Sequence, residues 1–288
     1  MKKFFLNTVS MATILLAAFA LLHFVHAVRE CNRFVLPKGK SIISLSNSHT
    51  QCALTDETWP EFLNLSSSGS TTWVWLWKLQ KILSRNPNNT VQCVIIPFGV
   101  AEAAHQGSEA EDIDWFVRYF PMGLIGSGYT RSTHKAILSS QFLGSAFSLQ
   151  GITAKWIDPP PPDGAGVFDA EPAIKRHFGL AQSSGTALRT TYFANVTNLI
   201  QVALASNIDI VLLATPCHPE YRNRVPADAM EMRNRSVDWI RDRFPEVKFL
   251  DFYEMDSLQR QDYRDLNHLS SSGRRKLTNL VKEELMKQ

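Results

Sequence analysis

Short apolar runs alternate along the chain with longer stretches in which apolar residues recur at helical spacing. Ser41-Ile-Ile-Ser-Leu-Ser46 is a brief β-branched run that gives way to small polar residues, which predicts a first buried strand feeding a helix. Phe62-Leu63-Asn64-Leu65 predicts a second short strand, ending in Ser66-Ser-Ser-Gly69-Ser70. Val91 to Pro97, Asn207 to Thr215 and Val247 to Phe252 are further runs of buried-strand character. Between and after them, Trp73 to Leu83, Tyr192 to Ala205, a segment through Trp239 and Ile240, and Gly273 to Lys287 carry the helical period. Strands alternating with helices predict an α/β fold, three layers α/β/α around a mostly parallel sheet.

The alternation breaks between about residues 101 and 190. That stretch is mixed in pattern and holds Pro159 to Pro162, four prolines in a row. Such a run fits neither a helix interior nor a central strand, so it predicts an extended exposed loop. The stretch reads as an insertion near the carboxyl ends of the strands, where α/β sheets bind ligands. It would either shape a substrate cleft or cover a sheet edge.

A second departure lies at the start. Lys2 and Lys3 precede an apolar run from Val9 to Val28, interrupted by Ser10, Thr13, His23 and His26. A positive flank before such a run reads as an export segment. The run approaches the ~20 residues that span a bilayer, and it has no polar face for a soluble helix. Residues 1–30 are therefore expected to be a signal anchor, or a signal peptide cleaved near Val25-His26-Ala27. Residues 31–288 would then form the α/β domain on the periplasmic or extracytoplasmic side, tethered to the membrane if the anchor is kept.

Composition narrows the chemistry. With 30 Lys and Arg against 27 Asp and Glu, and no basic stripe interleaved with aromatics, the sequence points away from a nucleic-acid partner. Export permits disulfides, but Cys31, Cys52, Cys93 and Cys217 form no tight framework. Cys93 reads as a buried small hydrophobe, and a Cys52–Cys93 bridge is left open. No cluster has metal-ligand spacing and no glycine-rich phosphate loop is present, so neither a metal nor a cofactor is implied.

Two short motifs carry candidate chemistry. In Ser46-Asn47-Ser48-His49-Thr50, the serine sits where the first strand meets a helix, and a helix N-terminus offers free N–H groups to an oxyanion. A serine hydroxyl needs a base to act as a nucleophile. In Asp265-Leu-Asn-His268, a carboxylate three residues from an imidazole projects to the same side on a helical or turn-like backbone. It can hold the histidine tautomer while the other ring nitrogen faces the serine. Either motif alone is ambiguous, since a serine in such a turn is commonly an N-cap and Asp-x-x-His commonly a surface pair.

Taken together, the serine after the first strand and Asp265-Leu-Asn-His268-Leu-Ser-Ser-Ser-Gly273 before the last helix resemble the first and last blocks of the SGNH (GDSL-like) hydrolases. Ile210 to Pro216 resembles a strand and loop of the same kind. The resemblance covers about half the chain and leaves the insertion outside. It implies an SGNH/flavodoxin-like sheet and a triad of Ser48, His268 and Asp265. It also implies an oxyanion hole using the Ser48 N–H and the Gly69 N–H. The family's third donor, an asparagine after the third strand, is missing from Pro97-Phe98-Gly99-Val100-Ala101-Glu102. His49 and His218 are the candidate substrate contacts. The implied activity is that of a serine esterase or O-acyltransferase acting on an acylated glycan or small ester. The sequence is most like exported SGNH-like proteins of envelope and polysaccharide pathways, with other envelope biosynthesis proteins as possible partners. The alternative is an inactive scaffold that binds a glycan or an envelope protein.

Overall fold

The computed structural model describes residues 34–88, 90–104, 162–163, 166, 168–179 and 187–287, with a scatter of residues between 9 and 28. The chain divides into two compact units, Met1–Val35 with Glu109–Trp156, and Leu36–Ser108 with Ile157–Gln288. In the first unit, the described residues between 9 and 28 are helical, and Val9, Met11, Ile14, Leu21 and Phe24 are exposed. Among the described residues no helix is long and apolar enough to cross a membrane. The rest of the apolar run expected to anchor the chain lies outside the described residues.

The second unit is built on five parallel strands, β1 (Ile42–Ser44), β2 (Phe62–Asn64), β3 (Cys93–Pro97), β4 (Asp209–Ala214) and β5 (Lys248–Asp251), in the order β2-β1-β3-β4-β5. Register pairs Ile43 with Leu63 and Val94, Ile95 with Val211, and Leu213 with Leu250. Every residue of β3, and every residue of β4 after Asp209, is buried, as a parallel sheet covered on both faces requires. The strands are one to three residues shorter at their ends than the apolar runs suggested. The apolar pattern continues into the loops because those loops are buried too: Leu45, Leu65, Phe98 and Ile208 are each at most 1 % exposed.

The helices in chain order are α1 (Ser48–Gln51), α2 (Thr72–Arg85), α3 (Val100–Ala104), α4 (Ala170–Phe178), α5 (Ala187–Ala205), α6 (Pro219–Arg222), α7 (Ala227–Arg243) and α8 (Ser271–Met286). Period two along the strands sends alternate residues to opposite faces. Cys93, Ile95, Val211 and Leu213 share one core with Leu277 and Val281 of α8. Each of the two α8 side chains is fully buried, a transfer that contributes about 1.5–3 kcal/mol. On the other face α5 packs against α2 and β4, burying Leu79 and Ile82 with Val196, Leu199, Ile200 and Ala203. The result is the three-layer arrangement expected, with a sheet that is parallel throughout.

The structure adds detail at two points. Cys52, Cys93 and Cys217 are free thiols, so no Cys52–Cys93 bridge exists, and burial pushes Cys52 up to about 11 and Cys93 up to about 12. The end of the segment expected to be an insertion contributes to a core. Helix α4 places Ala170 and Phe178 in a core with Val100, Tyr221 and Leu266, directly beside the Asp265–His268 turn. Most of that insertion, including Pro159 to Pro161, lies outside the described residues.

Candidate active site

Strand β1 ends at Ser44, and the chain turns through Ser46 and Asn47 into the single turn of α1. Asn47 is the N-cap, its Oδ1 accepting from the His49 N–H at 3.0 Å. Ser48 is thereby the first helical residue, at the carboxyl edge of the sheet, where backbone N–H groups lack intrahelical acceptors. The loop after β2 is fastened to the same turn. The Ser67 N–H and the Ser70 hydroxyl both donate to the Ser46 carbonyl, at 2.8 and 2.6 Å. Gly69 lies in this loop with φ of 70°, a left-handed conformation that suits glycine, and it is exposed.

Buried polar groups brace that loop from below. Lys78 of α2, 1 % exposed, donates to the Leu65 carbonyl at 2.8 Å and to the Ser67 hydroxyl at 2.9 Å. The Trp75 indole N–H donates to Ser70 Oγ at 3.0 Å. Sequence reading missed both, because in a helix of apolar period a lysine reads as a solvated residue.

Asp265 and His268 come from a tight loop rather than a helix. An antiparallel bridge between Tyr263 and Leu269 closes it, and the Arg264 N–H donates to the His268 carbonyl at 2.9 Å. Behind it, fully buried Asp262 accepts from Lys276 Nζ at 2.7 Å, Ser272 Oγ at 2.7 Å and the Gln259 N–H at 2.9 Å, tying the loop to α8. Asp265 Oδ1 accepts the backbone N–H groups of Asn267 and His268 at 3.1 and 2.9 Å. Its carboxylate also meets His268 Nδ1, at 2.9 and 3.0 Å. His268 Nε2 then lies 3.0 Å from Ser48 Oγ, across 220 residues of sequence. The structure thus brings together the three side chains named from the two motifs.

The local electrostatics suit a base. Burial opposes ionisation of Asp265, but the His268 hydrogen bond and charge, the Asn267 N–H and Arg264 hold its carboxyl well below the ordinary range. His268 is pulled below its usual 6.5 chiefly by burial; Asp265 raises it, while the positive charge of His49 lowers it. A neutral imidazole with Nδ1–H on the aspartate leaves Nε2 free to accept the serine proton.

The other candidates have more local duties. His49 is buried, its Nδ1 hydrogen-bonded to Glu102 and its Nε2 2.9 Å from Asn267 Nδ2. His218 sits in the loop after β4, where its Nδ1 accepts from the Glu220 N–H at 3.3 Å and caps α6. Its ring packs edge-on against Phe168 and Tyr263, and its backbone N–H donates to the Leu266 carbonyl at 2.9 Å. Glu102, Asn267 and His177 were not singled out from sequence. A lone acid after Phe98-Gly-Val-Ala was the available signal for Glu102. Nothing marked His177, which comes from α4 and places its ring 5.4 Å from that of His49.

The sheet order is the flavodoxin-like 2-1-3-4-5, the serine follows β1, and Asp-x-x-His precedes the last helix. The fold is a flavodoxin-like α/β fold with the motifs at the end of its first strand and before its last helix. No family model matches the chain, and no curated protein does. Solved structures with a similar chain path include a GDSL-like lipase from Bacteroides thetaiotaomicron, at 14 % identity over 93 % of this chain and 98 % of that one, with a TM-score of 0.45. A candidate acylhydrolase from Bacteroides fragilis is 13 % identical over 88 % and 89 % of the two chains, with a TM-score of 0.43. A candidate lipolytic protein of the G-D-S-L family from Desulfitobacterium hafniense is 10 % identical over 85 % and 98 %, with a TM-score of 0.41. Likeness at this level transfers no residue role and no substrate. Among the described residues, no group of three or more His, Cys, Asp or Glu side chains is placed to hold a metal ion.

Proposed function

We propose that the protein is a serine-dependent ester hydrolase or O-acyltransferase, acting on O-acyl groups of an extracytoplasmic glycan. The observation that carries this reading is the hydrogen-bonded chain Ser48 Oγ–His268–Asp265 at the carboxyl edge of the sheet. His268 Nε2 takes the Ser48 proton as the oxygen attacks the ester carbonyl carbon. The Ser48 and Gly69 N–H groups hold the resulting oxyanion. His268 returns the proton to the leaving alcohol, which departs with the electrons of the broken C–O bond and leaves an acyl-serine. Water, or a sugar hydroxyl, then loses a proton to His268 and takes the acyl group, and Ser48 is regenerated. Hydrolysis and transfer differ only in which acceptor reaches the acyl-serine.

The glycan assignment rests on the export segment expected at residues 1–30, and membrane tethering through that segment is part of the same proposal. A glycan- or partner-binding scaffold without catalysis is the second reading. It is favoured by the stretch after β3, where Ala101 and Glu102 supply no asparagine donor and the Glu102 carboxylate can only accept.

Acetate release from p-nitrophenyl acetate and labelling by a fluorophosphonate test the proposal, using the purified full chain beside Ser48→Ala. Both signals are expected in the native protein, with turnover falling by roughly 10⁴–10⁶ and labelling vanishing in the variant. Equal background in both proteins on both assays would leave the scaffold reading.

A further inference from the structure

The triad leaves unused a second ionisable pair buried against it. Glu102 of α3 is 4 % exposed, and among the described residues the hydrogen bonds of its carboxylate are made at the carboxyl end of the sheet. Oε1 accepts from Asn47 Nδ2 at 3.1 Å and bonds His49 Nδ1; Oε2 accepts the Gly99 N–H at 3.0 Å. Both side chains on Oε1 flank Ser48 in the nucleophile turn. The far nitrogen of His49 meets Asn267, which lies inside the Asp265–His268 loop. Desolvating a carboxylate costs free energy unless it is paired and fully hydrogen-bonded, as this one is.

We infer that Glu102 is a positioning residue of the catalytic centre, which acts through His49 to join the nucleophile turn to the loop carrying the base and to place a positive charge beside His268. The inference rests on the reading of Ser48 and His268 as nucleophile and base. Glu102 touches no reacting atom; its influence travels along Glu102–His49–Asn267. The His49 and His268 rings lie 5.3 Å apart, tilted by 42°. Burial works against a charge on His49, but Glu102 beside it more than offsets that and raises it above 6.5. Burial likewise opposes ionisation of Glu102, yet His49 and Asn47 hold it down to about 2. Each partner thereby favours the charged form of the other; an imidazolium at His49 requires the Asn267 amide, whose Nδ2 lies 2.9 Å from Nε2, to present its oxygen instead, the orientation of an amide following its network.

The charged groups that face His268 are Asp265 and Arg264 from its own loop and His49 from α1. The charges that face His49 are Glu102 from α3 and Asp265 from the loop, and the ring of His177 from α4 packs against it. Like charge at this separation disfavours protonation of His268 and keeps the base available.

Glu102→Gln removes the anion while keeping the size of the side chain. In the full chain, His49 then loses the partner that favours its charge, and His268 is expected to titrate about one unit higher than in the native protein. The imidazole resonances of His268 and His49, followed by NMR across pH, read this directly. The acid limb of kcat/KM, or of fluorophosphonate labelling, should move up by the same amount. Glu102→Asp keeps the charge and should leave the limb where it is. Should Glu102→Gln fail to fold by circular dichroism, His49→Gln removes the same positive charge and carries the same expectation. An unmoved His268 titration, with activity lowered equally at every pH, would overturn the inference and reduce Glu102 to a structural residue. If Ser48→Ala showed the hydrolase reading to be wrong, the NMR titration would still decide whether Glu102 governs the charge beside His268.

Discussion

At the residue scale, the site depends on where two imidazoles hold their protons. His268 bonds a carboxylate that accepts two backbone N–H groups of its own loop, so the aspartate is fixed in place before it orients the ring. Because His268 is held below 6.5, it loses its proton at lower pH than a free imidazole. As a base it acts only when neutral, so activity should fall as pH drops through that lowered value and stay level above it. The acid limb of a kcat/KM profile is expected below pH 6.5, and a limb above it would contradict the electrostatics described. Asp265→Asn retains an oxygen for the two backbone N–H groups but presents the imidazole with the wrong partner. It should cost on the order of 10³–10⁴ in kcat with an unchanged circular dichroism spectrum. A fall of less than tenfold would remove Asp265 from the triad.

Among elements, the Asp265–His268 loop is irregular in backbone and braced from several sides. The Tyr263–Leu269 bridge closes it, Asp262 anchors its start to α8, and the loop after β4 bonds it through the His218 N–H. The chain returning from the insertion adds a further brace. Asp163 accepts the Ser271 N–H at the start of α8, at 2.9 and 3.1 Å, and Gly166 lies flat against the loop itself. A Cβ built on Gly166 would stand 2.0 Å from the Arg264 carbonyl oxygen and 2.9 Å from Asp265 Cβ. Backbone, unlike the end of a flexible side chain, yields only by moving the loop. Gly166→Ala should therefore lower kcat about tenfold or more, since displacements near 1 Å can cost ~10² in rate. It should also destabilise the fold by about 1–3 kcal/mol, read as a lower Tm. An unchanged kcat would mean that this contact does not support the catalytic geometry.

For the whole molecule, the question is where this site works. The second unit presents Ser48 at the carboxyl edge of a parallel sheet, and the proposed substrate and membrane tether both follow from the first 30 residues. Expressed as the full chain, the protein should sediment with membranes and resist carbonate extraction, because ~20 apolar residues suffice to span a bilayer. Removing residues 1–30 should release it to the supernatant. A full chain recovered wholly in the soluble fraction would end the anchor proposal and leave the cleaved signal peptide.

Much of the sheet was legible from the order of residues, because a strand buried on both faces must be apolar along its length. Cys93 to Pro97 and Asp209 to Ala214 show this, and the polar breaks between such runs mark the turns. Ser48, Asp265 and His268 stood out for a related reason: a nucleophile, a base and an orienting acid are few residue types, and their sites are confined to strand ends. Glu102, Lys78 and Gly166 were not legible. What each contributes is set by a neighbour distant in the chain or by an atom that only the fold brings near. Glu102 is an ordinary acid until His49, 53 positions away, is packed against it. Gly166 is an ordinary loop glycine until the Arg264 carbonyl fills the space where a Cβ would stand. Local pattern thus determined the strands, the long helices α2, α5, α7 and α8 and the candidate residues, while tertiary packing alone decided what holds them in register.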